Sequence, residues 1–386
     1  MRGLSLYLHV PFCTTRCGYC DFNTYTADEL GPGASRADYI DAAIAELRLA
    51  RASLDDDRLI STLFVGGGTP TLLPPADLVR FVDEVRALFG LAPGAEVTTE
   101  SNPESVDERD LAALRSGGFT RISFGMQSAS SAVLRVLDRQ HSPGRTARAV
   151  ADARSAGFES INLDLIYGAP GETAEQWQES LAAAVEAGVD HISAYSLIVE
   201  DGTRLAARID RGELPRVDDD VLADRYEVAD AVLTAAGLDW YEVSNWSRPG
   251  HECRHNLAYW RSDDWFGIGP GAHSHVDGVR WWNVKHPARY AAALAEGDWP
   301  AAGREVLDAQ QRHEEDVLLR VRLAEGLRTS DPAGPRPELL ADLVAEGLAD
   351  GGIAASGRLH LTLRGRLLAD AVARRLLDDD EARRAV

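Results

Sequence analysis

Cysteine is nearly missing from this chain of 386 residues, which has only four. That excludes a disulfide-stapled secreted scaffold, which uses cysteine densely in a short chain. Basic residues are short as well, 40 against 61 acidic ones, and the formal charge is −21. A broad nucleic-acid surface needs clustered Lys and Arg to neutralise phosphates, so nucleic acid is not an expected partner. Part of the acidic excess lies in the short runs Asp55-Asp56-Asp57, Asp218-Asp219-Asp220 and Asp378-Asp379-Asp380-Glu381. These read as solvated loops or tails rather than metal sites. No run of about 18 apolar residues occurs, which excludes membrane insertion and leaves membrane contact only through a partner. The N-terminus lacks a charged-then-apolar export signal, because His9 and Pro11 interrupt it. A G-x4-G-K-[ST] loop for nucleoside triphosphates is absent too. The expected setting is cytoplasmic and reducing, which suits free thiols.

What cysteine there is, is concentrated. Cys13, Cys17 and Cys20 stand in one short stretch with the spacing C-x3-C-x2-C. A structural zinc site wants four protein ligands, commonly as paired C-x2-C units. Three thiolates point instead to an iron–sulfur cubane with one iron left for an exogenous chelator. The competing reading is a chance grouping near one end of the chain.

Strand-like and helical runs alternate through the first 200 or so residues. Strands are expected at Leu6–Phe12, Ser61–Gly67, Glu96–Ser101, Arg121–Gln127, Ser160–Gly168 and His191–Val199. Helices are expected at Arg36–Leu54, Pro75–Phe89, Asp107–Ser116, Ser130–Leu137, Arg145–Gly157 and Ala174–Gly188. This alternation predicts an α/β fold with a parallel sheet, a partial (β/α)6 barrel spanning residues 1–215. Residues 216–311 extend it. They hold a helix (Asp219–Gly237), an apolar stretch (Leu238–Val243) and a region dense in aromatics, His and Gly. Residues 312–386 read as a small winged-helix-like domain. Its expected parts are helices at Glu314–Ala324, Pro337–Gly347 and Gly365–Leu377 and a hairpin at Ile353–Leu363. The acidic balance argues for a packing or partner module there, not a DNA reader.

The chemically unusual residues fall at the ends of the expected strands. The cysteines follow strand one and Gly66-Gly67-Gly68-Thr69-Pro70 follows strand two. Glu100, Gln127 and Asp164 sit late in strands three, four and five. In β/α barrels that rim carries the active site. A glycine turn lets a backbone approach a ligand closely, although tight turns use glycine anyway. Glu100 ends its strand, where a carboxylate needs a partner, and Asp164 lies inside the apolar run Ile161–Ile166, where an uncompensated charge is costly. Arg139 is suited to a two-pronged carboxylate contact, or is an ordinary surface arginine. Glu100 has the competing reading of a solvated strand end.

The cysteine spacing, with Tyr19 before the last cysteine, resembles the radical S-adenosylmethionine (SAM) superfamily. The strings Tyr7-Leu-His9-Val-Pro-Phe-Cys13, Gly-Gly-Gly-Thr-Pro-Thr71, Glu100-Ser-Asn-Pro, Ser-Phe-Gly-Met-Gln127 and Asp164-Leu-Ile-Tyr-Gly-Ala-Pro170 resemble one branch of it. That branch holds the oxygen-independent coproporphyrinogen III oxidases and related haem chaperones. The resemblance implies a [4Fe–4S] cluster on Cys13, Cys17 and Cys20. It implies SAM contacts at Tyr7, Tyr19, Gly67, Gly68, Thr69, Glu100, Gln127, Arg139 and Asp164. The cofactor would supply radical chemistry and the protein binding and orientation.

Three features separate oxidase from chaperone within that resemblance. The oxidases carry a further cysteine where this chain has Phe22. They also have an N-terminal extension, for which Tyr7 leaves no room. Finally, His255-Asn256-Leu-Ala-Tyr259-Trp260 resembles a chaperone motif linked to haem binding. Imidazole is a common haem-iron ligand, and Tyr259 and Trp260 can cover an apolar macrocycle. A loop histidine held by hydrogen bonds is the competing reading for His255. Cys253 reads either as a thiolate ligand or as a small buried residue. The expectation is a haem chaperone that binds the cluster, SAM and haem b and delivers haem to haem-accepting proteins. A low-potential electron donor would be a further partner if SAM is cleaved. The alternative is oxidative decarboxylation of coproporphyrinogen III, or a radical SAM enzyme with another substrate.

Overall fold

A computed structural model describes residues 3–30, 35–139, 142 and 144–384, with side chains described up to residue 379. Asp380 and Glu381 of the last acidic run therefore lie outside the described side chains. Six strands lead the architecture: β1 (Leu4–Val10), β2 (Ile60–Gly67), β3 (Leu91–Ser101), β4 (Arg121–Gln127), β5 (Ser160–Tyr167) and β6 (His191–Ser196). They pair in parallel, each with the next in the chain. This is the expected (β/α)6 arrangement, with strand limits shifted by a few residues.

A period of two organises these strands, because successive side chains point to opposite faces. On β1, Leu4, Leu6, Leu8 and Val10 are fully buried in the main apolar core. Leu63 and Val65, Ile122 and Phe124, Ile161 and Leu163, and Ile192 and Ala194 belong to the same core. The opposite face is polar. It carries Tyr7, Glu100, Arg121, Ser123, Asn162, Asp164, His191 and Ser193, which line a common lumen. Parallel sheets usually bury apolar residues on both faces. The polar inner face here marks the inside of the barrel as a site rather than a packed core.

Helices cover the apolar face. The helix Arg36–Ala52 buries Ile40, Ala43, Ile44, Leu47 and Ala50, the spacing of one helical stripe. Ser35 caps its first turn. Asp107 and Asp110 form a capping box that starts Glu108–Ser116, and Thr173 and Gln176 do the same for Ala174–Glu186. The acidic run at Asp218 is a cap too: its side chain accepts the N–H of Asp220 at the head of Asp219–Ala235.

Six further strands extend the sheet: β7 (Asp239–Glu242), β8 (Asn245–Ser247), β9 (Asp264–Ile268), β10 (His273–Val276), β11 (Val279–Asn283) and β12 (Ala301–Val306). The sheet has twelve strands in the order β12-β11-β10-β9-β1-β2-β3-β4-β5-β6-β8-β7. β9 runs parallel to β1, and β8 runs antiparallel to β6. The extension is pinned by Glu46, a carboxylate buried in the helix Arg36–Ala52. It accepts from Gly269 N–H at 2.8 Å, Asn283 Nδ2 at 2.6 Å and Tyr290 OH at 2.6 Å.

The C-terminal segment has its own apolar core, built on Val317, Leu327, Leu340, Leu343, Leu359, Val372 and Leu376. Its helices include Ala309–Arg320, Pro337–Ala345 and Ala369–Arg384. The expected hairpin at Ile353–Leu363 is corrected. That stretch holds a short helix, Gly351–Ala354, and a strand β14 (Arg358–Leu359) that pairs antiparallel with β13 (Leu327–Arg328) from before Pro337. Arg366 docks the segment on the barrel: its Nη1 and Nη2 reach Asp230 at 2.7 and 2.9 Å. The guanidinium also lies 4.4 Å over the Trp240 ring. Among the described residues, no helix is long and apolar enough to cross a membrane.

Candidate functional site

β1 delivers the chain directly into the cysteine loop, which is tied down on several sides. Tyr25 N–H donates to Pro11 O at 2.7 Å, and Cys13 N–H donates to Tyr25 O at 3.1 Å. Gly18 N–H donates to Leu137 O at 3.1 Å, and Gly18 O accepts from Leu205 N–H at 2.8 Å. Cys13, Cys17 and Cys20 are free thiols, each half-buried. Among the described residues, no three His, Cys, Asp or Glu side chains converge to hold one metal ion. Three thiols spread along a fixed loop suit a polynuclear cluster, in which different irons take different sulfurs. Phe22, just beyond, is 60% exposed.

The glycine run that ends β2 leaves little room for side chains. A β-carbon on Gly66 would stand 3.0 Å from Glu100 Oε2. Gly67 has φ +111°, and a β-carbon there would lie 2.8 Å from the His9 ring. On Gly68 it would collide with the Phe12 carbonyl and come within 3.0 Å of Cys13 Sγ. The backbone also ties this run to the loop. Gly68 N–H donates to Val10 O at 2.8 Å and Thr69 N–H donates to Phe12 O at 2.7 Å. The result is a bare backbone cradle beside the cysteines.

The expected carboxylates face the same space. Glu100 Oε2 accepts from Gly67 N–H at 3.0 Å. Burial, and then the charge of Asp164, push its carboxyl up to about 8. Asp164 is held by Ser123 Oγ at 2.6 Å and Asn162 Nδ2 at 2.8 Å. Arg139 donates to Cys17 Sγ at 3.4 Å and to Gly125 O at 3.2 Å. Gly125 is small because Arg139 and Gln127 lie over it: a β-carbon would be 2.8 Å from a nitrogen of each. Gln127 ends β4 with φ +65°. Tyr7 OH pairs with His9 Nδ1 at 3.0 Å, and His9 Nε2 pairs with Asn23 O at 2.9 Å, which joins the lumen to the cysteine loop. Tyr19 packs on a small apolar cluster with Leu137, Leu197 and Leu205. The structure therefore gathers the cysteines, the glycine cradle, Glu100, Gln127, Arg139 and Asp164 on one rim.

The His255 motif lies elsewhere. It forms the short helix Arg254–Trp260, and Cys253, His255, Asn256 and Tyr259 line the lumen from the end opposite the cysteines. Glu96, at the start of the paired part of β3, holds the head of this helix. It accepts from Arg254 N–H and His255 N–H, both at 3.0 Å, and from the Cys253 thiol at 3.6 Å. His255 is 2% exposed. Its Nδ1 meets Thr62 Oγ1 at 2.8 Å and its Nε2 meets Tyr259 OH at 2.9 Å. Burial, and then the charge of Arg121, lower its pKa to about 3, so the ring is neutral. Both nitrogens are engaged, and neither is open to an iron while the helix is seated. Asn256 Nδ2 donates to Glu242 at 2.9 Å. Trp260 is half-buried. Cys253 is a buried thiol raised to about 12 by burial and then by Glu96, which fits the packing reading.

The lumen between rim and floor measures about 130 Å³. Along the strands, sequence reasoning singled out the ends and missed the deeper wall: Arg121, Ser123, Asn162, His191 and Ser193. Ser123, Asn162, His191 and Ser193 are joined by hydrogen bonds. Asn162 donates to Ser123 Oγ at 2.6 Å, and His191 bridges Asn162 Oδ1 at 2.6 Å and Tyr241 OH at 2.8 Å. The available signal was a polar residue at every second position of otherwise aliphatic strands.

A family model described as "Radical SAM superfamily" matches residues 7–184. The chain is 56% identical over 376 residues to a protein of Mycobacterium tuberculosis named "Heme chaperone HemW", covering 97% of this chain and 95% of that one. It is 37% identical to the Escherichia coli protein of the same name, over 88% of this chain and 85% of the other. Among solved structures, Escherichia coli coproporphyrinogen III oxidase (HemN), a radical SAM enzyme, superposes with a TM-score of 0.81 at 26% identity. That match covers 97% of this chain and 90% of the other.

Proposed function

The chain belongs to the HemW haem chaperone family, a branch of the radical SAM superfamily, and from that premise we propose how its residues divide the work. It is a haem chaperone that binds a [4Fe–4S] cluster, SAM and haem b and delivers haem to haem-accepting proteins. The observation that carries this is 56% identity across 97% of the chain. When bound, the cluster and SAM together supply one-electron chemistry.

Cys13, Cys17 and Cys20 are the residues to hold the cluster, a donor set of three thiols that leaves one iron for SAM. The bare backbone of Gly67 and Gly68 gives the SAM methionine moiety a close approach, which the collisions of any β-carbon there support. Glu100 answers its cationic groups and Asp164 its ribose hydroxyls. Arg139 answers its carboxylate, while Gln127, Tyr7, Tyr19 and Thr69 shape the rim. Haem is cargo, and its macrocycle exceeds a lumen of about 130 Å³. With the helix Arg254–Trp260 seated, His255 is a pin between Thr62 and Tyr259, and the motif shapes the haem site from beneath. A low-potential electron donor is the further proposed partner if SAM is cleaved. A reducing, cytoplasmic compartment suits the three free thiols.

The test uses cluster-reconstituted full-length chain. Haem is titrated, and its transfer to an apo-haemoprotein is followed by absorbance. The same preparation is incubated with SAM, reductant and coproporphyrinogen III. Haem binding with transfer is expected. Conversion to protoporphyrinogen, or no haem binding, would overturn the reading.

A further inference from the structure

The lumen floor holds a cation whose donors have nothing to hold. Arg121 is 3% exposed and lines the lumen. Its Nε is buried without a hydrogen-bond partner, and no hydrogen bond or ion pair joins its guanidinium to any described side chain. Nearby carboxylates do not fill the gap. Glu96 is taken by Arg254 N–H, His255 N–H and the Cys253 thiol. Asp164 is taken by Ser123 and Asn162. These acids offset the charge of Arg121 through space but leave its buried Nε donor unfilled. An unmatched polar group at this depth costs on the order of a few kcal/mol. Arginines nearer the surface of this protein are paired, as Arg366 is with Asp230 and Arg58 with Asp264.

We infer that Arg121 forms a carboxylate-binding subsite at the floor of the lumen, filled by a carboxylate arm of the tetrapyrrole or by a free small carboxylate. A planar, two-pronged anion matches the guanidinium fork. Size supports the assignment. A lumen of about 130 Å³ has room beside Arg121 for a short carboxylate arm. A macrocycle would stay at the mouth, where Tyr195 is 43% exposed. The neighbouring histidines do not compete for the anion. His191 and His255 are both held neutral, chiefly by burial and then by Arg121 itself. The tetrapyrrole arm of this inference rests on the haem reading above, and the free-carboxylate arm does not.

The experiment compares haem with its dimethyl ester, binding each to cluster-reconstituted wild type, Arg121→Met and Arg121→Lys. In parallel, sodium propionate against sodium chloride is scored by its shift of the thermal midpoint. If a tetrapyrrole arm occupies the subsite, wild type prefers the free acid at least tenfold. Arg121→Met then loses that preference and Arg121→Lys keeps part of it. If a free carboxylate occupies it, propionate raises the midpoint of wild type but not of Arg121→Met, and the two haems bind alike. Equal binding of acid and ester with no propionate shift in wild type overturns the subsite. That result needs no variant to fold. Failure of wild type to bind either haem would instead count against the chaperone reading, leaving the propionate arm to decide the subsite.

Discussion

Glu96→Gln should loosen the helix Arg254–Trp260 without dissolving the barrel. The Glu96 carboxylate is the acceptor for two backbone N–H groups at the head of that helix and for the Cys253 thiol. Glutamine keeps one oxygen and turns an NH2 toward the other donor. A hydrogen bond to a charged group contributes about 1.5–3 kcal/mol, and a buried donor left unpaired costs about 1–3 kcal/mol. The expected loss is about 2–4 kcal/mol, a sizeable share of the roughly 5–15 kcal/mol that holds a domain folded. Because Glu96 sits at one point on the floor, the loss should be local. The assay is native-state hydrogen exchange by mass spectrometry. A loss of about 2 kcal/mol corresponds to about thirty-fold faster exchange, at 1.4 kcal/mol per tenfold. Faster exchange is expected across Cys253–Trp260, with β1 and β4 unchanged. Exchange at Arg254 and His255 within a factor of about two of wild type would refute the reasoning.

Other substitutions probe other parts of the site. His255→Ala should leave the Soret position of bound haem unchanged, because both ring nitrogens already serve Thr62 and Tyr259; a shift in that band would make His255 a ligand after all. Gly68→Ala should lower the iron content of reconstituted protein, since its β-carbon meets the Phe12 carbonyl and Cys13 Sγ; full iron occupancy by colorimetric assay would contradict this. Glu100 is raised from 4.5 to about 8, so the folded chain binds its proton more tightly than the unfolded chain. Its contribution to stability is therefore present below about 4.5 and lost as pH rises through about 8. Denaturation across that window should show the fall, and Glu100→Gln should flatten it. SAM affinity should rise over the same interval as the carboxylate ionises, and equilibrium dialysis that finds no rise removes Glu100 from the cationic contact. Arg366→Met should cost about 3 kcal/mol by stranding Asp230. Exchange should quicken in the C-terminal segment and around Asp230 but not at the cysteine loop.

Much of the rim was legible because its residues break local rules. Three cysteines in one loop, three glycines in a row and Glu100 in a strand each violate what the surrounding pattern favours. The floor broke no such rule. Arg121 and Asn162 sit at alternate positions of short strands, and that pattern equally describes a half-solvated sheet. Only the curling of the sheet around the lumen turns their face inward. The direction of the His255 motif was hidden for a different reason. A helix of seven residues has little preference of its own, and this one is aimed by Glu96, more than 150 residues earlier. The tail hairpin failed because β13 and β14 are two residues each. Strands that short carry no alternation to read.

The place of β1 in the sheet has a consequence for how the chain is born. β1 is not an edge: it lies between β2 and β9, with Leu4 opposite Ile60 on one side and Asp264 on the other. β1 thus waits for one of its two neighbours until about 250 further residues have been synthesised. Until then the strand that carries the cysteine loop has one flank bare. A cluster inserted on the nascent chain would meet a half-supported strand, whereas one inserted after release would meet a finished seat. The topology completes the seat of the cysteine loop only once β9 has taken its place beside β1.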